Sequence, residues 1–128
     1  MLRRFREWRR ETKRWSESHR ATWGPASETM PDGLTRFVCR ARDALAEACH
    51  GIEFEVRGES ERYLYGAVPD TDVVVFLYSE GAEIFAGSRQ LFWAEHHDYE
   101  TPDHLIGSLV PAATDAIAAA QRRLEGSP

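Results

Sequence analysis

The densest group of side chains able to do chemistry is Glu95-His96-His97-Asp98-Tyr99-Glu100, with Asp103 and His104 close behind. Imidazole and carboxylate are the usual ligands of zinc and similar ions. A carboxylate–histidine pair in a shielded cleft is also what acid–base catalysis uses. Two features oppose a site. Neighbouring strand residues point to opposite faces, so His96 and His97 cannot both face one ion while a strand stays regular. Neither an HExxH motif nor a cysteine–histidine metal spacing occurs. His97 and His104 remain as metal candidates, and they meet only if the loop between them folds back. The competing reading is a polar loop leading into a helix N-terminus, where Glu100 and Asp103 suit the helix dipole.

Other catalytic signatures are missing from the sequence. There is no GxSxG elbow, P-loop or dinucleotide glycine pattern. Cys39 and Cys49 fall on one expected helix, where ten residues at ~1.5 Å each hold them roughly 15 Å apart, too far for a disulfide. They read as apolar thiols in a reducing compartment. No catalytic residue and no cofactor is assigned, and the balance leans away from an enzyme. A small enzyme or metal-binding protein built on Glu95, His96, His97, Asp98 and His104 stays as the alternative.

Charge is the stronger signal. The net charge of −5 divides unevenly along the 128 residues. Residues 1–20 carry eight basic and three acidic side chains, a net +5; the remainder carries eight basic and eighteen acidic, a net −10. Such a split bears on partners rather than on fold. Arg3, Arg6, Arg9, Arg10 and Arg14 would suit nucleic-acid phosphates, which gives a third reading. The acidic remainder repels both nucleic acid and anionic lipid, so neither is the leading partner. The longest apolar run, Val73 to Tyr78, is far short of the ~20 residues that cross a bilayer, and a secretory signal is lacking. A cytoplasmic location is expected.

These groups must be positioned by a small set of elements. Leu2, Phe5, Trp8, Thr12 and Trp15 recur every three or four residues and predict a basic aromatic helix near 2–20, here treated as an appendage or oligomerisation element over 1–22. A connector with Gly24-Pro25 and Met30-Pro31 follows, which Trp23 anchors to something apolar. A single α+β domain is expected over 32–126. It opens with a helix over Gly33 to Cys49, capped by Asp32 and stopped by Gly51. Five strands follow, near 52–57, 62–68, 73–78, 83–86 and 91–96, separated by turn residues. A final helix begins at Thr101-Pro102 and ends at Gly126, with Pro111 expected to kink or divide it. The fold class is therefore α+β, an antiparallel five-stranded meander packed against helices in the order α-α-β-β-β-β-β-α. One sheet face would be covered by helices. The other carries Glu and Arg from the first strand.

The carboxylates of the meander suggest a binding surface. Glu53, Glu55, Glu59, Glu61, Asp70 and Asp72 would steer and hold a basic protein. Against this stands an acidic face that merely keeps the chain soluble. Compact size and acidic charge resemble those of the varied immunity proteins that neutralise bacterial toxins, a resemblance of plan that transfers no residues. The leading expectation is a non-enzymatic protein-binding module with an acidic face, toxin-neutralising or adaptor-like. Phe5, Trp8, Trp15 and Trp23 form the expected interface of the N-terminal helix, against the body or across a homodimer.

Overall fold

A computed structural model describes residues 23–126. The helix expected near 2–20, with Phe5, Trp8 and Trp15, lies outside the described residues. The connector is built into the body. Trp23 and Ala26 are buried in the core, the latter within a short 3-10 turn, Gly24–Ser27.

Helix α1 spans Arg36–Ala48. Its N-cap is Thr35, whose hydroxyl accepts from the Val38 N–H at 3.3 Å. The expected cap, Asp32, instead accepts from the Leu34 N–H at 3.0 Å. Gly33 explains the later start, because its φ of 86° is left-handed and cannot belong to the helix. Phe37, Val38, Ala41 and Leu45 form the buried stripe.

The strands are β1 (Glu53–Arg57), β2 (Tyr63–Ala67), β3 (Val73–Tyr78), β4 (Gly81–Ala86) and β5 (Arg89–Glu95). They make one antiparallel sheet in the spatial order β1-β2-β3-β4-β5, each strand beside its neighbour in sequence. The β-branched run of β3 is the central strand, as its composition predicts. Its alternate residues Val73, Val75 and Leu77 enter the core, joined by Leu64 of β2, Ala82 and Ile84 of β4 and Ala94 of β5.

Helix α2, Pro102–Glu125, closes the fold. Thr101 caps it, its hydroxyl accepting from the His104 N–H at 3.2 Å. Pro111 does not divide it. That residue lies on the exposed side, where water can satisfy the carbonyl freed by the missing N–H. Leu105, Leu109, Ala113, Ala116, Ile117 and Ala120 are buried along the other side and hold both halves to the core. Arg40 of α1 pairs with Asp103 in the first turn of α2. Both helices add their buried residues to the same cluster as the inward residues of the sheet. They therefore cover one sheet face and leave the other, here termed the outer face, to different chemistry. No helix among the described residues is long and apolar enough to cross a membrane.

Candidate functional site

The outer face is built by strand alternation. Side chains one position removed from the core residues point outward, and the ladder lines them up across the sheet. Glu55 pairs with Tyr65, Tyr65 with Phe76, Phe76 with Glu83, and Glu83 with Trp93. The result is one row, carboxylate–ring–ring–carboxylate–ring, crossing all five strands. Tyr63 and Tyr78 flank it on one side and Phe85 on the other. Phe76 is the hub of this surface. Its ring centroid lies 5.4 Å from Tyr65, 5.9 Å from Phe85, 6.0 Å from Tyr78 and 6.2 Å from Tyr63. These separations suit edge and offset ring contacts.

Two carboxylates are integrated into this aromatic layer. At the β1 edge, Glu55 receives the Arg57 guanidinium at 2.8 Å, and the same guanidinium lies 3.7 Å over the Tyr65 ring. In β4, Glu83 is only 4% exposed, and the Gln90 side-chain amide donates to it at 2.6 Å. A buried carboxylate must be hydrogen-bonded to be tolerated. The Gln90 bond depends on an irregularity. Ile84 pairs with Phe92 but Phe85 pairs with Gln90, so Leu91 is an extra residue. Without that bulge, alternation from Trp93 would send Gln90 toward the core; with it, the amide reaches the outer face. Tyr78 and Phe85 are 6% and 4% exposed, yet neither belongs to the core cluster.

At the β5 end of the face the chain turns through a 3-10 segment, His96–Asp98. The Asp98 carboxylate accepts from the Glu95 N–H at 3.3 Å. His97 sits between two carboxylates, with Nδ1 3.0 Å from Glu95 and Nε2 3.3 Å from Asp98. His96 goes the other way. It is buried and stacked on Trp23, with centroids 3.8 Å apart and planes 4° from parallel, and it meets Phe37 edge-on. Trp23 is thus an anchor against Phe37 and His96. His104 is exposed on the first turn of α2. Among the described residues, no three histidine, cysteine or acidic groups gather as a metal site would require.

The acidic residues singled out in the sequence occupy three places. Glu53 and Glu55 lie on the edge strand β1. Glu59 and Glu61 lie in the β1–β2 turn, and Asp70 and Asp72 in the β2–β3 turn at the opposite end of β2. Asp72 pairs with Arg123 of α2 at 3.2 Å. The row Glu55–Tyr65–Phe76–Glu83–Trp93 draws on Glu55 alone of that set. Sequence reasoning missed Phe76, Trp93 and Gln90. The first two could have been found by pairing strands through their turns; Gln90 could not, because the bulge that turns it outward has no local marker. Both thiols are free. Burial holds the Cys39 thiol above its ordinary pKa; the Arg42 charge pulls it back, while Asp32 and Asp43 add to the rise. That is the opposite of an activated nucleophile.

No protein-family model, curated protein or solved structure matches this chain.

Proposed function

We propose that the protein is a non-enzymatic protein-binding module whose outer sheet face receives a basic polypeptide, in the manner of a toxin-neutralising protein or an adaptor. The observation that carries this reading is the row Glu55–Tyr65–Phe76–Glu83–Trp93, in which two carboxylates and three rings line up across the whole sheet. A guanidinium pairs with a carboxylate through its planar fork and stacks on an aromatic face with the same group. Arg57 does both within this protein, on Glu55 and Tyr65. A face that served solubility alone would have no use for six rings. Partners rich in arginine and aromatic residues fit it best, held by hydrogen-bonded charge at the exposed Glu55 and by apolar contact at Trp93, which is 40% exposed. Glu53, Glu59 and Glu61 extend the negative field at the β1 side and assist encounter more than affinity.

The test is affinity capture from the source lysate with two baits side by side, the wild-type chain and the Glu53→Lys/Glu55→Lys double variant. A stoichiometric basic protein held by the first, lost from the second and released as salt rises, is the expected result. Equal retention by both baits would remove the outer face from the binding surface.

A further inference from the structure

We infer that the free edge of β1 is an interface for a second copy of this chain, paired antiparallel about Val56, so that two five-stranded sheets join into one. The inference does not rest on the function proposed above.

The edge is open. β1 pairs with β2 on one side, and among the described residues no strand lies along the other. Glu53, Glu55, Val56 and Arg57 are all exposed. Such an edge presents unpaired N–H and C=O groups to any strand that can match them. Val56 adds apolar surface to the same edge. It pairs with Leu64, a core residue, and so lies on the helix-covered side of the sheet. Yet it is 42% exposed, so the apolar layer ends at β1 with valine surface still facing water. Phe54, on the same side, is only partly buried against the core.

Charge selects the partner and the register. A two-fold axis perpendicular to the sheet keeps the outer faces of both copies on one side, so residues directly opposite each other belong to the same face. Centring that axis on Glu53, Glu55 or Arg57 sets the residue against its own copy. Centring it on Phe54 sets Glu53 against Glu55 twice. Like charges directly opposite are destabilising. Centring it on Val56 packs valine on valine and places each Glu55 opposite the partner's Arg57, while Glu53 falls opposite the turn beyond the paired stretch. Within one chain these two groups already meet at 2.8 Å on this face, so the same attraction is available between copies. A strand of unrelated sequence meets these charges unanswered, which lets the edge admit its own copy and turn others away.

The pairing closes. Both copies use the same edge, so the interface is isologous, and the far edge, β5, carries the bulge at Leu91. Gly58, with φ of 90°, takes the chain out of the strand just past Arg57. The paired stretch is therefore short and its area small, which makes a reversible dimer that forms as concentration rises.

The experiment is sedimentation velocity of the full chain over a concentration series, with Glu55→Arg and Arg57→Glu run alone and as an equal mixture. The wild-type chain should show a monomer–dimer equilibrium. Each variant alone sets like charges opposite one another and should stay monomeric. Mixed, they restore two pairs of opposite sign and should dimerise; that recovery also shows both variants to be folded. A wild-type chain that is monomeric throughout, a dimer that survives in either variant alone, or a mixture that stays monomeric would each overturn the inference. A second measurement fixes the register. Under mild oxidation Val56→Cys should link to its copy faster than Glu55→Cys does, because position 56 lies on the axis; equal or reversed rates would overturn pairing about Val56.

Discussion

The two faces of one sheet have been given opposite chemistry by alternating residues of the same strands. On β3, Val73, Val75 and Leu77 meet the helices, while Val74, Phe76 and Tyr78 meet the outer side. The inner face is aliphatic and shape-filling, with Phe37, Leu45, Leu105 and Leu109 all fully buried against it. The outer face is aromatic and carries carboxylates, including the buried Glu83 and Glu95. An aliphatic core is satisfied by packing alone. Rings and acids also make directional contacts, and those are the contacts that select a partner. The contrast gives stability to one side and, under the proposed function, recognition to the other.

Paired substitutions can break or sharpen that contrast. Val75 and Val74 are the same residue type, adjacent, and on opposite faces. Val75→Ala should cost about 2–3 kcal/mol of unfolding free energy, the worth of a fully buried valine together with the void it leaves. Val74→Ala should cost under about 1 kcal/mol. Denaturant titration of the two variants checks this, and equal costs would mean the outer face is packed as tightly as the core.

Gly66 tests the inner face from the other direction. It sits on β2 beneath Phe54, and a Cβ there would lie 2.8 Å from the ring. Gly66→Ala should destabilise by about 1–3 kcal/mol through overpacking, read as a lower midpoint at unchanged slope in urea. A neutral result would show that Phe54 moves freely at the sheet edge.

The smallest effect concerns Cys39, which belongs to neither face. Its raised pKa means the thiolate forms only at higher pH than for an ordinary thiol. Alkylation of the folded chain by iodoacetamide should therefore lag behind a free thiol at neutral pH and catch up only in the alkaline range. The same shift makes the folded state bind its proton more tightly than the unfolded state. Stability from this group is present at neutral pH and is lost as pH rises through the raised value. Arg42→Ala, which removes the opposing charge, should push the alkylation profile further up.

Much of the fold was legible because local signals agreed. The stripe Phe37–Val38–Ala41–Leu45, the alternation in β1 and the turn residues between strands each fix an element. Sequential turns of that length leave little freedom in strand order. Pro111 was misread as a possible break because helix propensity ignores which side of the helix a residue takes. The site was far less legible. The continuous run Val73 to Tyr78 conceals that its residues serve two different surfaces, and Glu83 looks like any surface acid until strand pairing sets it between Phe76 and Trp93. Asp70 and Asp72 look like part of one patch along the chain, although an antiparallel meander puts their turn at the end of β2 opposite Glu59 and Glu61.

The extra residue at Leu91 has a further consequence. A small sheet with two edge strands and a ring-rich face is a template onto which other chains could add, strand by strand. At one edge, β1 carries exposed Glu53, Glu55 and Arg57, and charges of that kind deter an incoming strand. β5 has fewer charges, with Leu91 and Trp93 among its exposed residues. There the bulge distorts the hydrogen-bonding edge, so that a straight strand finds no continuous ladder to join. The same irregularity that turns Gln90 outward thus guards the protein against polymerising through its own edge.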